Sequence, residues 1–348
     1  HPNRRNSQVQ NKRRNRFDLR QDIKNNQKRL IYDTVQLIFT MMRLPVLLFL
    51  IGMTCSPFLF AQLPAVRSGK IVRHSAFPSE WVPARTIDVW LPEGYNPSKK
   101  YAVLYMHDGQ MLFDSTLTWN KQEWMVDDVV SKLTSENKIN DLIVVAIWNI
   151  PAIRHADLFP KKPLVQLSQE EQKLSFENAK KLGYKFNLED INSDNYLKFI
   201  VEEVKPFVDT NFSVFTDADH TAIMGSSMGG LISMYAICEY PKVFSKAACL
   251  STHWLGFREF DNNPIPESFF KYMSANLPDS KNHKIYFDYG TETLDAGYLK
   301  YEYRVDETLK AKGYNQQNFR NIKFEGENHS EASWQKRIHI PLEFMFGK

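Results

Sequence analysis

The chain has 348 residues, 43% hydrophobic and 13% aromatic, enough to bury a large core and too apolar to stay disordered throughout. Its formal charge of +4 is unevenly placed: the first 61 residues carry +8, so residues 62–348 carry −4. The basic balance therefore belongs to the leader, and a folded body of net negative charge excludes nucleic acid as an expected partner.

Residues 1–40 are rich in Arg, Lys and Asn and are expected to form a disordered upstream extension. Residues 41–61, MMRLPVLLFLIGMTCSPFLFA, combine one Arg, a short apolar run and a small residue, Ala61. This is the layout of a secretory signal peptide cleaved before Gln62. The apolar run is short of the about 20 residues that a membrane span needs. No stable membrane insertion is expected after cleavage, and the mature chain, 62–348, is expected to be secreted or periplasmic. Cys55 is a poor lipid-attachment site, because Gly52-Met53-Thr54 precedes it. With Cys55 gone, Cys238 and Cys249 remain, both in apolar context and expected as buried free thiols. No spacing resembles a metal site, and neither metal nor organic cofactor is expected.

From there strand and helix patterns alternate. Strands are predicted at 69–74, 86–91, 102–107, 142–148, 221–224, 247–251, 285–289 and 322–324, and helices near 121–134, 193–208, 229–240, 298–312 and 331–346. The runs YAVLYM and LIVVAIW are continuously apolar, the mark of strands buried on both faces. Such alternation implies an α/β fold with a mostly parallel central sheet and helices on both faces. The first two strands have no helix between them, so an antiparallel edge is expected. Between 151 and 190 the pattern lapses into the charged stretch KKPLVQLSQEEQKLSFENAKK, expected as an insertion that serves as a lid or a surface excursion. Residues 62–348 are expected to form one domain.

The chemistry centres on TAIMGSSMGGLISMYA. The pattern G-x-S-x-G fits in one register, Gly225-Ser226-Ser227-Met228-Gly229, with a strand before and a helix after. Ser227 is therefore the candidate nucleophile, and the helix N-terminus behind it supplies positive potential where an oxyanion would form. A base should come later in the chain, and four histidines do. His283 opens a strand, His339 lies in the last helical pattern, and His253 precedes every plausible acid. His329, in the polar loop GENHSEASW between the last strand and the last helix, can project over the sheet edge. The acid belongs on the loop after the preceding strand, in IYFDYGTETLDAGY. Asp288 lies inside the strand and is expected to be structural, whereas Glu292 and Asp295 both lie beyond it and either could orient the imidazole. The backbone amides of Gln110 and Met228 are the expected oxyanion donors, with His107 and Asp108 fixing the loop. His253 and Trp254, after the strand at 247–251, are within reach and are expected to contact substrate. Trp119, Trp124, Trp254 and Trp334 would suit an aromatic or sugar-bearing group.

Taken together, HDGQMLFD at 107–114, GSSMGGL at 225–231, DYGTETLD at 288–295 and GENHSEASW at 326–334 resemble the esterase family of the α/β-hydrolases. That family includes enterochelin esterases, feruloyl and acetyl-xylan esterases, S-formylglutathione hydrolase and the mycolyltransferases. The resemblance runs from about residue 67 to the C-terminus. It implies the α/β-hydrolase fold and a secreted serine carboxylic-ester hydrolase that works through an acyl-enzyme. It places the nucleophile on Ser227, the base on His329, the acid on Asp295 and an oxyanion amide on Gln110. Branches that set the acid nearer the glycine keep Glu292 open. The segment WNIPAIRHADLFP is similar to the family's N-x-x-x-R-x-x-E-Y-x-P loop near the acyl site, with Arg154 as the arginine and Asp157-Leu158 departing from the E-Y pair. Arg154 is accordingly expected either to bind substrate or to fix the loop through an ion pair. The implied partner is a small-molecule or polysaccharide-linked ester, either a siderophore trilactone or a feruloyl or acetyl group. Acyl transfer to another acceptor and binding without turnover are the alternatives.

Overall fold

The structure is a computed structural model that describes residues 62–348; the expected extension at 1–40, the signal peptide at 41–61 and Cys55 lie outside the described residues. Leu63–Lys348 form one compact unit. Eight strands make one sheet: β1 (Lys70–Phe77), β2 (Arg85–Leu91), β3 (Ala102–Met106), β4 (Leu142–Ile147), β5 (Thr221–Ser226), β6 (Lys246–Leu250), β7 (Lys284–Gly290) and β8 (Phe319–Phe324). Their order is β1-β2-β4-β3-β5-β6-β7-β8. β2 runs antiparallel to both neighbours, and every other pair is parallel. This is the mostly parallel sheet with an antiparallel edge that the pattern predicts. β1 and β8 extend beyond their predicted ends because they are edge strands whose half-exposed residues break the apolar run.

Alternation along the central strands divides the core into two layers. Val103, Tyr105, Ile143, Val145 and Ile223 face one layer, and Leu104, Met106, Val144, Ala146 and Met224 face the other. The second layer is covered by α1 (Val126–Ser135) and by the C-terminal helices α10 (Glu331–Arg337) and α11 (His339–Phe346). The first is covered by α2 (Arg154–Leu158), α3 (Lys161–Val165), α4 (Gln169–Lys181), α5 (Ser193–Lys198), α6 (Lys205–Asn211), α7 (Met228–Glu239), α8 (Ile265–Asn276) and α9 (Leu299–Ala311). A π-helical stretch, Phe199–Val204, joins α5 to α6. Pro206 lacks the N–H that would bond one turn back, and wider turns ahead of it accommodate that loss.

Helix α8 was absent from the sequence expectation. Its start, NNPIPE, has the punctuation of a loop, but Pro266 falls in the first turn, where a missing N–H costs nothing. The 151–190 insertion is also helical: Ser168 and Glu171 form a reciprocal capping box that starts α4. The insertion is anchored by rings. His155 stacks on Phe257 at 5.5 Å, and Phe159, Tyr184 and Phe186 pack around the same phenyl group. Burial, helped by neighbouring Arg154, lowers the His155 imidazole to about 4, so it packs as a neutral ring. Cys238 and Cys249 are buried free thiols, as expected. No helix among the described residues is long and apolar enough to cross a membrane.

Candidate active site

Between β5 and α7 the chain turns sharply at Ser227, which has φ 57 and ψ −120. Such a backbone conformation costs a non-glycine residue about 1–3 kcal/mol and persists only when neighbours hold it. Here the Ser227 N–H donates to the Leu250 carbonyl (2.9 Å), and the Ser227 carbonyl accepts from the N–H of Leu231 (3.0 Å) and of His253 (3.2 Å). Gly225 makes the turn possible, since a Cβ there would lie 2.7 Å from the Gly229 carbonyl carbon. A Cβ on Gly229 would meet His107 at an ordinary 3.4 Å, so the tighter constraint falls on the first glycine. The Met228 N–H begins α7 and is one of the donors that a helix start leaves without an intrahelical partner.

His329 and Asp295 arrive from two loops beyond β7 and β8. His329 Nδ1 meets Asp295 Oδ1 at 2.5 Å, while Asp295 Oδ2 accepts from Ser251 Oγ and from the Gly290 N–H, each at 2.6 Å. Burial pushes the Asp295 carboxyl up, but the hydrogen bond and charge of His329, with the Ser251 and Gly290 donors, outweigh it and hold the group below the usual carboxylate range. Gly290 permits this convergence, because a Cβ there would fall 2.2 Å from the Glu327 carbonyl and 2.9 Å from Asp295 Oδ2. The two loops are tied by the amides of Thr291 and Glu292, which share the Glu327 carbonyl, and by the His329 N–H, which donates to Thr293 Oγ1 (3.0 Å). Of the two acids left open by the sequence, Asp295 is buried against the imidazole, whereas Glu292 is exposed at the start of the turn. The His329 ring is held edge-on by Trp334 (5.0 Å between centroids) and by Tyr298 (5.9 Å).

The loop after β3 lies on the other side of the elbow. Asp108 adopts φ 55 and precedes a single 3-10 turn, Gly109–Met111. Its carboxylate accepts from Arg154 Nε (2.7 Å), Arg154 Nη2 (2.6 Å) and Asn149 Nδ2 (2.6 Å). Burial pushes this carboxyl up too, but the Arg154 charge and these bonds bring it below its ordinary value. The Gln110 side chain accepts from the Asn149 N–H (3.1 Å), which fixes the turn that carries the Gln110 amide. His107 is buried with Nδ1 on the Tyr196 hydroxyl (2.8 Å), and burial lowers it to about 4. Arg154 therefore ties the loop together while also lining the cavity. Asp157, the departure from the family pattern, forms a buried ion pair with Arg85 at 3.0 Å.

Two expected substrate contacts are corrected. Trp254 has no exposed surface: its ring lies between Phe270 (4.8 Å) and Phe287 (5.8 Å), and its Nε1 donates to Glu302 (2.9 Å). His253 is buried with Nδ1 on the Tyr298 hydroxyl at 2.6 Å. The chain after β6 turns inward, because the aromatic area of Trp254 is better buried than wetted. Neither residue lines the cavity into which Ser227 and His329 open. The residues missed in the sequence are Tyr298, which packs edge-on against the His329 ring, and Ser251 behind Asp295.

That cavity has a volume of about 620 Å³. Gln110, Asn149, Arg154, Trp124, Trp334 and Glu331 are among the residues that line it. Trp119 stands at its margin with 84% of its surface exposed. Asn120 donates to Glu331 (2.6 Å), and the Ala332 N–H donates to Gln122 (3.1 Å), so the 114–124 loop is tied to the start of α10.

A family model named Esterase, "Putative esterase", matches residues 83–340. The Bacillus subtilis protein "Uncharacterized protein YbbA" is 23% identical over 272 residues, covering 76% of this chain and 93% of its own length. Among solved structures, the ferulic acid esterase AmCE1/Fae1A of Anaeromyces mucronatus aligns with a TM-score of 0.53 at 18% identity, covering 83% of this chain and 96% of that one. The enterobactin esterase FES of Shigella flexneri aligns with a TM-score of 0.56 at 16% identity, covering 81% of this chain and 60% of that one. The sheet order and these likenesses establish the α/β-hydrolase fold. The Anaeromyces enzyme has been solved in complex with ferulic acid, and the Shigella enzyme in the presence of enterobactin.

Proposed function

The chain belongs to the esterase family, which makes it a carboxylic-ester hydrolase, and from that premise we propose a secreted serine esterase that works through an acyl-enzyme on Ser227. The observation that carries the reading is convergence on one cavity: a serine on a positive-φ turn and a histidine whose Nδ1 is held by a buried carboxylate. An ionised carboxylate only accepts, so His329 carries its proton on Nδ1 and leaves Nε2 to act as base.

When the ester enters, the Ser227 hydroxyl donates to His329 Nε2. Oγ attacks the carbonyl carbon as Nε2 takes its proton, and the amides of Gln110 and Met228 stabilise the tetrahedral oxyanion. The C–O bond to the alcohol breaks, the alcohol leaves with the proton from Nε2, and the acyl group stays on Ser227. Water repeats the attack, and Nε2 again takes and returns the proton. Arg154 sets the oxyanion loop through Asp108. The insertion at 151–190 acts as a fixed wall of the site, since Pro151 and Arg154 line the cavity and the ring cluster around Phe257 anchors the rest of the insertion.

The cavity favours an uncharged ester that bears a ring. Arg154 is neutralised by Asp108, Glu331 adds negative charge, and Asn120, Gln122 and Asn149 offer neutral hydrogen bonds beside Trp119. A feruloyl or acetyl sugar ester meets that description better than a polyanionic ferric siderophore. Purified chain starting at Gln62, assayed on p-nitrophenyl acetate beside Ser227→Ala and His329→Ala, tests the reading. Both variants should lose at least about 10³-fold in kcat; equal turnover by all three would refute it.

A further inference from the structure

Ser251 comes directly after β6 at φ 43 with no exposed surface. Its hydroxyl has one proton and two lone pairs. The oxygen receives Trp334 Nε1 and Arg337 Nη2, each at 2.9 Å, and both are groups that can only donate. One acceptor remains for the Ser251 proton, Asp295 Oδ2 at 2.6 Å. We infer that Ser251 is a positioning residue for the candidate base: acting through Asp295, it orients the carboxylate that faces His329 and sets how much negative charge that carboxylate presents to Nδ1.

The chain of constraint runs in one direction. Asp295 Oδ2 is occupied by two donors, Ser251 O–H and Gly290 N–H, which leaves Oδ1 to face His329 Nδ1. Because that carboxylate only accepts, the ring must present Nδ1–H and free its Nε2. Arg337 also supplies charge. It holds the buried Asp288 through Nη2 (2.9 Å) and Nε (3.2 Å), with the Tyr286 hydroxyl donating to the same carboxylate (3.0 Å). One guanidinium thus serves two buried carboxylates, Asp288 directly and Asp295 through the Ser251 hydroxyl. Trp334 and Arg337 are three positions apart on α10, the spacing that puts two side chains on one helix face. The segment GENHSEASWQKR therefore delivers the histidine and both groups that donate to Ser251, the hydroxyl behind its acid.

The inference rests on the proposed triad, and the experiment separates the two. kcat and KM on p-nitrophenyl acetate are measured against pH for the chain from Gln62, Ser251→Ala, Asp295→Asn and Ser227→Ala, with histidine ¹⁵N NMR to read the tautomer. In Ser251→Ala the Asp295 carboxylate loses a donor, keeps more charge on Oδ1 and holds the imidazolium more tightly. The acid limb of kcat/KM should rise by about 0.5–1 pH unit, and kcat should fall about tenfold with KM within twofold. The Nδ1–H tautomer should persist in Ser251→Ala. An unmoved limb with kcat within about twofold of the parent, and with Asp295→Asn and Ser227→Ala inactive, would overturn the role of Ser251 and leave the triad standing. Activity retained by Ser227→Ala would overturn both. If Ser251→Ala does not fold, Trp334→Phe decides: freeing one lone pair on Ser251 should move the limb in the same direction, and no movement counts against the inference.

Discussion

Replacing Asp295 with Asn should abolish turnover without disturbing the fold, and the local hydrogen bonds say why. Two donors converge on Oδ2, the Ser251 hydroxyl and the Gly290 amide, each at 2.6 Å. An Asn side chain must place its carbonyl oxygen there, because presenting its NH₂ would leave each buried donor without an acceptor at roughly 1–3 kcal/mol apiece. The NH₂ is then directed at His329 Nδ1 and donates where the carboxylate accepted. The ring responds by adopting the Nε2–H tautomer, which has nothing with which to take the Ser227 proton, and the imidazolium loses its counter-charge. Loss of the correct tautomer in a Ser-His-Asp site lowers kcat by about 10⁴, equivalent to about 5.5 kcal/mol. The assay is kcat and KM on p-nitrophenyl acetate across pH, with circular dichroism to verify the fold and Glu292→Gln as the paired control. KM should be unchanged, and Glu292→Gln should stay within twofold of the parent. If Asp295→Asn keeps more than a tenth of the activity, or Glu292→Gln loses as much as it does, the assignment is wrong.

Two other outcomes are expected from different parts of the molecule. Glu302 is buried beside Trp254, and burial pushes its carboxyl up to about 8 against the hydrogen bond from Trp254 Nε1. The folded state then holds a proton that the unfolded chain has already released, so stability falls as pH rises from about 4.5 to about 8 and levels off above that. Glu302→Gln keeps an acceptor for Trp254 and removes this dependence; urea unfolding should show it more stable than the parent by about 3 kcal/mol at pH 7 and no different near pH 4. Parallel stability–pH curves for the two proteins would contradict this. Trp119 is 84% exposed at the cavity margin, so Trp119→Ala should change stability by less than about 0.5 kcal/mol. It should raise KM for methyl ferulate by about tenfold and leave vinyl acetate unaffected; an equal effect on both esters would remove Trp119 from substrate recognition.

What local pattern controls was legible in the residues. Continuous apolar runs such as YAVLYM become central strands because burial on both faces demands them, and Gly225 announces the turn because no Cβ fits beside Gly229. Helix α8 escaped because its prolines, which mark a loop in sequence, are harmless in a first helical turn. Glu292 and Asp295 have similar sequence claims, and the 3-10 turn at Thr293–Gly297 separates them by exposing one and burying the other. His253 and Trp254 lie nearly as close to the end of β6 as Ser251 does, yet their side chains enter the core while the Ser251 hydroxyl meets Asp295. Hydrophobic period and backbone sterics act between near neighbours in the chain, so the sequence alone determined the α/β-hydrolase sheet and the serine turn. Which acid faces the histidine, and what stands behind that acid, depends on side chains brought from β6, β7 and α10. Their meeting is set by strand order and by the inward turn of each loop, and only the tertiary structure decided it.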